Sequence, residues 1–416
     1  MNKILVIVLA SAVFILIDLY VFQAVKIITQ GLSAPWRKGL HLAYWAVTFL
    51  TLAGFWTYHM VNPDNFSRVF RSFLLVGVFM NYMSKSLAVV FLMIDDIIRA
   101  GQWVVQQFYK KEVVHPDTDS NITRSDFLVK TALVAAAIPF ATMSFGILSG
   151  AHDYRIRRKT VFLPNLPKAF DGITIGQLSD VHSGSFFNKR AVKGGVEMLM
   201  QQKPDTIFFT GDLVNSVANE MRDYQDIFSG VKAPLGVYST LGNHDYGDYA
   251  SWKSPEAKKR NLDDLIATHK HMGWDLLMNE NRRLKVDGEE IAVLGIENWG
   301  GGRFAKYGKI KETYQGSEDA PVKLLLSHDP SHWDAQVRTM CPDIDIMFAG
   351  HTHGFQFGVE IGDFKWSPSQ YAYKQWAGLY QEGSQYLYVN RGFGYIGYPG
   401  RIGIPPEITL LELKRA

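Results

Sequence analysis

The chain has 416 residues, 47% of them apolar, and its formal net charge at pH 7 is +3. This length favours two or three domains, and the near-neutral charge lacks the strongly basic footprint of most nucleic-acid-binding proteins, so no nucleic acid is expected as a partner. Cys341 is the only cysteine, which excludes an intrachain disulfide and a thiolate zinc cluster.

The first 150 residues contain four long apolar runs, each near the ~20 residues that a helix needs to cross a bilayer. The runs are roughly Ile4–Val25, Leu40–Met60, Phe73–Ile94 and Thr131–Leu148. A signal peptide is an alternative for the first run, but that run contains Asp18 and three more runs follow it. We therefore predict an all-α transmembrane domain of four helices over residues 1–150, in contact with the lipid bilayer. A buried soluble helical domain is the alternative.

Two charged residues, Asp18 and Lys85, lie inside the predicted spans. Charges within a membrane are costly and often functional, but pairing with each other or a place near a helix end explains them equally well. The sequence assigns them no role. Basic residues after the fourth span, such as Arg155 and Arg157, favour a cytoplasmic second half. Other loops hold as many basic residues, so the side of the membrane is left open.

Residues 151–170 have the basic, proline-containing composition of a linker, and from about residue 171 the pattern changes to α/β. An Asp287-Gly288 pair between two apolar runs predicts a β-hairpin, and residues 189–202 and 254–271 predict helices. Continuous apolar strands are buried on both faces, which favours sheets with helices outside. The predicted strands are Ile173–Leu178, Thr206–Thr210, Gly236–Leu241, Ile291–Ile296, Lys323–Ser327 and Ile344–Ala349.

Five short segments with ligand-type side chains directly follow predicted strands. They are Asp180-Val181-His182, Gly211-Asp212, Gly242-Asn243-His244-Asp245, Ser327-His328 and Gly350-His351-Thr352-His353. Ligands in open α/β sheets gather beyond the carboxyl ends of strands, so we expect these side chains to converge. They are enough for two divalent metal ions, whose identity (Mn, Zn, Fe or Mg) stays open. Two metals about 3.5–4 Å apart form a clamp for in-line displacement at phosphorus.

The spacing also suggests individual roles. In an extended Asp-x-His segment the side chains of Asp180 and His182 face the same way and can hold one ion. Asp212 is suited to bridge two ions, and Asn243 offers a neutral oxygen. His244 is suited to protonate a leaving oxygen or to stabilise the transition state.

Two further residues are predicted to assist the site. Asp245 is expected to hold the imidazole of the neighbouring His244 from the second coordination sphere. Arg391 is a candidate substrate-binding residue because a guanidinium pairs well with phosphate, although surface arginines are usually only solvated. Arg401 is a second candidate on the same ground.

Together these motifs resemble those of the calcineurin-like metallophosphoesterase superfamily over roughly residues 171–416. The resemblance implies a four-layer α/β/β/α sandwich in which two sheets are flanked by helices, with His244 as the catalytic histidine. It implies that one metal is held by Asp180, His182, Asp212 and His353. The other would be held by Asp212, Asn243, His328 and His351.

The C-terminal segments around Gly378–Tyr380, Leu387–Gly394 and Pro405–Thr409 resemble the membrane-attached bacterial members of this superfamily and animal transmembrane metallophosphoesterase-domain proteins. Some bacterial members cleave the pyrophosphate of UDP-2,3-diacylglucosamine. The four predicted spans exceed the single anchor of many bacterial relatives and predict a multi-pass protein of the inner cell membrane. The resemblance, together with the aromatic residues below, favours a phosphodiester or pyrophosphate of a lipid or lipid precursor as the substrate. Six aromatic residues over 364–380 suit a rim that meets acyl chains or the membrane interface, or else an aromatic-rich core. They are Phe364, Trp366, Tyr371, Tyr373, Trp376 and Tyr380.

Two other classes of function remain open from the sequence. One is a tethered protein phosphatase or soluble-nucleotide phosphodiesterase, whose activity would not depend on residues 1–150 or on detergent. The other is a non-catalytic membrane metal-binding module, which a missing ligand would favour. The sequence has a ligand-type residue at each metal-ligand position of the family motifs, so we rank the non-catalytic module last.

Overall fold

The computed structural model describes residues 3–61, 65–108 and 124–416 and divides into two compact units, Met1–Ser144 and Phe145–Ala416. The four predicted apolar runs form α1 (Lys3–Thr29), α2 (Ala34–Met60), α3 (Arg68–Phe108) and α4 (Arg124–Leu148). Each of the four contains a segment long and apolar enough to cross a membrane. Many of their large apolar side chains are exposed, among them Leu16 and Leu42. Such surfaces favour contact with lipid over a buried soluble domain.

Asp18 and Lys85 pair with each other inside the N-terminal unit. Asp18 is fully buried. Its carboxylate accepts hydrogen bonds from Lys85 Nζ and, at 3.0 Å, from the hydroxyl of Tyr82. Tyr44 Oη donates to the main-chain oxygen of Asp18 at 2.8 Å. The pair therefore ties α1 to α2 and α3, which agrees with the simpler of the two interpretations of these charges.

The C-terminal unit contains two six-stranded sheets and a separate two-stranded ribbon. The first sheet has the strand order β1 (Arg155–Leu163), β14 (Glu407–Arg415), β2 (Thr174–Leu178), β3 (Thr206–Thr210), β4 (Val237–Thr240), β5 (Asp275–Leu276). The second has the order β12 (Gly378–Glu382), β13 (Gln385–Val389), β9 (Ile346–Ala349), β8 (Lys323–Leu326), β7 (Glu289–Gly295), β6 (Glu280–Val286). The ribbon pairs β10 (Val359–Ile361) with β11 (Phe364–Trp366). Strands β2 to β5 are mutually parallel, as are β7, β8, β9 and β13.

Three large apolar clusters and a small one around Trp376 and Ile404 hold this unit together. One cluster joins the two sheets, where the rings of Phe208 and Phe348 meet at 5.0 Å. A second includes Leu199 and Leu265 from two helices and lies against the first sheet, while Trp333 belongs to a third with residues of the second sheet. The helices are α5 (Lys189–Met200), α6 (Gln225–Phe228), α7 (Pro255–Met272), α8 (Ile310–Tyr314) and α9 (Arg338–Met340). Four apolar helices followed by mixed α/β sheets confirm the predicted order of an all-α unit and an α/β unit, while the four-layer arrangement stays a prediction.

The predicted linker over residues 151–170 was wrong in its middle part, because residues 155–163 form strand β1. This strand pairs in parallel with β14 along its whole length. It lies at the edge of the first sheet, where Arg158 and Lys159 stay exposed while Val161 and Leu163 are buried. Charged residues are common on edge strands because they discourage further pairing.

The six predicted strands are present as β2, β3, β4, β7, β8 and β9. The predicted hairpin is also confirmed, since Asp287 and Gly288 have φ of 49° and 83° in the turn between β6 and β7. Helix α7 begins after Ser254, whose side chain accepts the amide of Ala257 and so caps the helix.

Candidate metal centre

The predicted ligands meet where parallel strands of both sheets end. Strands β2, β3 and β4 lead into Asp180, Asp212 and Asn243, and strands β8 and β9 of the other sheet lead into His328 and His351. Because the two sheets share one apolar interior, the carboxyl ends of these strands face a common space. The five segments converge as their positions in the sequence predicted.

Two groups of three side chains are arranged as a metal ion requires. The first comprises Asp180, His182 and His353, and the second Asp212, His328 and His351; within each group the candidate ligand atoms lie within 4.8 Å of one another. Asp212 connects the two groups. Its Oδ2 lies 3.1 Å from Nε2 of His328 and 3.5 Å from Nε2 of His182. This central position is the one that a bridging carboxylate needs.

The backbone is bent at these residues in a way that ordinary side chains rarely adopt. Five of the ligand residues have φ between 48° and 70°, namely Asp180, His182, Asp212, His351 and His353. A non-glycine residue in this region costs on the order of 1–3 kcal/mol and persists only where surrounding contacts enforce it, commonly at functional sites. The surrounding contacts therefore hold these five residues in a locally unfavourable backbone conformation that directs their side chains into the site.

Two glycines let the ligand segments approach each other closely. A Cβ atom at Gly350 would lie 2.0 Å from Ser179 Oγ and 2.2 Å from Asp180 Oδ2. Gly211 has φ of 93°, and a Cβ there would lie 2.5 Å from the amide nitrogen of Gly242. The glycines in these motifs are required because backbone and carboxylate occupy the space of a side chain.

Hydrogen bonds fix which ring nitrogen of the second group faces the site. His328 Nδ1 lies 2.7 Å from the carbonyl oxygen of Thr210, so this nitrogen carries the proton and Nε2 is left as a ligand atom. His351 Nε2 lies 2.7 Å from the hydroxyl of Tyr373, and its Nδ1 lies 3.2 Å from Nε2 of His328. The two free nitrogens face the same space, as ligands of one ion would.

Three buried polar atoms of the predicted ligands have no hydrogen-bond partner among the described residues. They are His182 Nδ1, Asn243 Oδ1 and His353 Nε2. The side-chain nitrogen of Asn243 donates to Tyr249 Oη at 2.9 Å, which leaves its oxygen turned away from that bond. Because buried polar atoms nearly always have a partner, a bound cation is a suitable partner for orphaned atoms at this site. The set of imidazole, carboxylate and amide ligands suits Zn, Mn or Fe.

Burial and the two carboxylates set the charges of the site. Burial lowers the pKa of His182 to about 3 and that of His351 to about 4, so both rings are neutral, as metal ligands must be. Burial opposes a charge on His328, but the charge and hydrogen bond of Asp212 together with Asp180 raise its pKa to about 10. Burial likewise opposes ionisation of Asp212, yet His328 and His244 hold the pKa of that carboxyl well below its usual value. The buried carboxylates therefore stabilise positive charge at the site, whether on His328 or on a bound cation.

His244 lies at the half-exposed edge of the site, and its ring centroid is 4.9 Å from that of His182. Its Nδ1 lies 2.7 Å from the main-chain oxygen of Asn215. Nδ1 therefore carries the proton and donates a hydrogen bond to this carbonyl. This bond fixes the ring and leaves Nε2 for exchange with a substrate.

The predicted role of Asp245 was wrong. Its carboxylate accepts the amides of Asp212 at 2.8 Å, Leu213 at 2.9 Å and Gly242 at 2.9 Å, and does not reach the ring of His244. Neighbouring side chains of an irregular loop need not face the same way, and this one turns inward. Asp245 therefore holds together the loops that carry Asp212 and Asn243.

Arg391 is not placed as a free phosphate contact. Its guanidinium is almost fully buried between Glu407, at 2.6 Å, and Glu360, also at 2.6 Å. Both carboxylates are distant in the sequence, so the pairing was not visible there. Arg401 is also buried, with Nη2 3.1 Å from His353 Nδ1 and 2.6 Å from the carbonyl of Gly394.

Three residues with contacts to the site were missed from the sequence. Asn215 orients His244, Tyr249 holds the amide of Asn243, and Tyr373 contacts His351. Asn215 and Tyr249 follow their motifs by only a few residues, which is the one signal that was available. Tyr373 was assigned to an aromatic rim, and nothing in its spacing indicated a histidine partner.

Comparison with known proteins identifies both units. Residues 173–355 match the family model "Calcineurin-like phosphoesterase", and residues 2–151 match "Probable Calcineurin-like phosphoesterase, transmembrane domain". The chain is 29% identical over 272 residues to the uncharacterized metallophosphoesterase YkuE of Bacillus subtilis, covering 63% of this chain and 86% of that protein. It is 27% identical over 297 residues to a transmembrane protein with metallophosphoesterase domain of Danio rerio, covering 69% of this chain and 63% of that protein.

A third relative has a named activity. The UDP-2,3-diacylglucosamine pyrophosphatase LpxG of Chlamydia trachomatis is 26% identical over 300 residues, covering 60% of this chain and 86% of that protein. The match to the animal relative spans less than two thirds of that protein's length.

Proposed function

Since this chain belongs to the calcineurin-like metallophosphoesterases and is a metal-dependent phosphoester hydrolase, we propose that it hydrolyses a phosphodiester or pyrophosphate bond of a lipid or lipid precursor. The observation that carries the proposal is the pair of candidate ligand groups joined by Asp212, in a chain whose described residues include four helices long and apolar enough to cross a membrane. A compound of the type of UDP-2,3-diacylglucosamine, the named substrate of one relative, is the first candidate. The proposal places the protein in the inner cell membrane as a multi-pass protein.

In this proposal the two groups hold two divalent ions. Asp180, His182 and His353 would hold one ion and His328, His351 and Asn243 the other. Asp212, whose Oδ2 lies near both groups, would contribute to both. When bound, the ions supply positive charge to the phosphoryl oxygens and lower the pKa of water. The residues themselves need no rearrangement, because the strand ends and the bent backbone already aim them.

His244 is the proposed proton donor to the leaving oxygen. Its Nδ1 is committed to the carbonyl of Asn215, so only Nε2 can exchange a proton with a substrate. Its partial exposure gives the leaving group a way to solvent. Asp245 keeps the amide-rich loops in place but does not exchange a proton with His244.

The test uses the full-length protein in nanodiscs with Mn²⁺. The substrates are UDP-2,3-diacylglucosamine, a lysophospholipid, bis(p-nitrophenyl) phosphate, a phosphopeptide and a cyclic nucleotide. We expect the lipid esters to be hydrolysed more efficiently than the phosphopeptide or the cyclic nucleotide. Turnover of only the phosphopeptide or cyclic nucleotide would show a tethered phosphatase or nucleotide phosphodiesterase instead. Bound metal without turnover of any substrate would show a non-catalytic metal module.

A further inference from the structure

The ribbon formed by β10 and β11 has one apolar and one polar face. Ile361 is paired with Phe364, and Val359 with Trp366. Residues opposite each other in paired strands lie on the same face, as do residues i and i+2 of one strand. These four side chains therefore share one face, which we call the ribbon face.

The polar side of the ribbon is the side that packs against the rest of its unit. Glu360 pairs with Arg391 at 2.6 Å and also with Arg157. Lys365 Nζ donates to the carbonyl of Ala377. Both charged residues of the strands are thus turned inward and satisfied.

The ribbon face is turned outward, with Ile361 73% and Phe364 62% exposed. Val359 of the same face is also exposed, as are Phe357, whose ring centroid lies 6.4 Å from that of Trp366, and Tyr371. More than half of the exposed large apolar side chains described in Phe145–Ala416 lie within residues 355–371. A surface that hides its charges and presents aliphatic and aromatic side chains is arranged for an apolar partner.

The base of the ribbon is hydrogen-bonded to a loop that also contacts the end of a membrane helix. Gly358 N donates to the carbonyl of Ile402 at 2.9 Å, and Ile402 N donates to the carbonyl of Gln356 at 2.8 Å. The adjoining Arg401 N donates to the carbonyl of Gly146 at 3.1 Å. Gly146 lies in the last turn of α4, within the candidate span Phe127–His152. Hydrogen bonds within Phe145–Ala416 therefore link the base of the ribbon, through the loop of Arg401 and Ile402, to the last turn of α4.

The chain on both sides of the ribbon also contacts the metal ligands. The candidate ligand His353 and the next residue, Gly354, precede the ribbon. Ser367, the residue after β11, donates a hydrogen bond from its Oγ to the carbonyl of Gly354 at 2.7 Å. After the ribbon comes Tyr373, whose hydroxyl lies 2.7 Å from His351 Nε2. A partner on the ribbon face would hold these segments, and with them the ligands, at its surface.

We propose that the ribbon face docks onto the lipid bilayer from which α4 emerges and holds the metal centre at the membrane surface. The exposed Asp363 in the turn restricts the contact to the headgroup level, because a carboxylate is costly deeper in the bilayer. The docking does not depend on which ester is hydrolysed.

The experiment places a polarity-sensitive fluorophore on the ribbon face of the full-length protein, one copy per nanodisc. In a Cys341→Ala background, Ile361→Cys or Phe364→Cys is labelled, and Lys285→Cys at the exposed end of the β6–β7 hairpin is the matched control. Spin-labelled lipids should quench the probe at position 361 or 364 but not at 285, and iodide in the buffer should quench only the control. Equal iodide quenching at all three positions would overturn the proposal. So would shielding that appears only when two copies share a disc, which would assign the face to a second chain.

A second readout separates docking from substrate choice. The variant Ile361→Glu with Phe364→Glu should lower hydrolysis of a bilayer-embedded ester by on the order of tenfold. Hydrolysis of a soluble aryl phosphodiester should be unchanged, which shows that the variant is folded. If no lipid ester is hydrolysed by the native protein but lipid quenching at 361 is observed, docking stands and only the proposed substrate class fails.

Discussion

Oδ2 of Asp212 lies 3.1 Å from Nε2 of His328, although the first residue ends a strand of one sheet and the second ends a strand of the other. The contact joins loops that follow strands of the two different sheets of the C-terminal unit. It also places the carboxylate between the two histidine groups that form the candidate metal centre.

Substitution of the bridging carboxylate should remove metal and activity together. We expect Asp212→Asn to lower metal affinity by more than the roughly 10–100-fold that follows loss of a second-sphere partner. Metal content after gel filtration and turnover of an aryl phosphodiester measure the two effects. Asp205→Asn, which changes a half-buried carboxylate bound to Thr174, is the matched control. Full metal content in Asp212→Asn would contradict the bridging role.

His244 should matter most when the leaving group is poor. His244→Asn should lower kcat by roughly 10²–10⁴-fold on an alkyl ester, as expected for loss of a general acid, and by much less on a nitrophenyl ester that leaves without protonation. Metal content should not change. An equal loss on both esters would show that His244 acts through the metal ligands and not as a proton donor.

Metal binding should release a proton from His328. Asp212 and Asp180 raise its folded pKa to about 10, above the unfolded value of about 6.5, so the metal-free protein is stabilised by this charge below pH 6.5 and loses that contribution as pH rises through 10. At pH 8 the ion must displace the proton, so affinity should rise with pH.

Calorimetry in buffers of different ionisation enthalpy measures this release. The variant His332→Gln is the control, because His332 contacts Ser327 and Gln336 and not the ligand groups. A metal affinity that does not change between pH 6 and 9 would contradict the release of a proton from His328.

Tyr373 should tune the metal centre and not only line a surface. Its hydroxyl contacts Nε2 of His351, so Tyr373→Phe should weaken metal affinity by about 10-fold or more. Tyr371→Phe, an exposed neighbour, should leave affinity unchanged. Equal behaviour of the two variants in a metal titration would show that the hydroxyl does not support His351.

The Asp18–Lys85 pair should stabilise the membrane helices only as a pair. Asp18→Asn leaves a buried ammonium without its carboxylate, which typically costs about 3–5 kcal/mol. The double variant with Lys85→Met should recover most of this loss, because no charge is left unpaired. Unfolding of the full-length protein in detergent, compared across the single and double variants, measures the coupling; additive losses would contradict it.

The long apolar runs and the ligand-type motifs were sufficient to predict the four long apolar helices, the six central strands and the meeting of the candidate ligands at the strand ends. The reason is local: long apolar runs are membrane helices, and short apolar runs before Gly-Asp or Gly-His place polar groups at strand ends. The weaker elements were not visible. Strand β1 was hidden because its basic residues are exposed at a sheet edge, and the short strands β10 to β12 lack a clear apolar run.

Contacts between distant segments were decided only by the tertiary structure. Asp245 turned to the loop amides and not to His244, Arg391 was neutralised by Glu360 and Glu407, and Tyr373 reached His351 from a separate segment. The residue types alone permit each of these side chains several partners. Which partner is reached depends on how the two sheets bring their strand ends together, and that is a property of the packed fold.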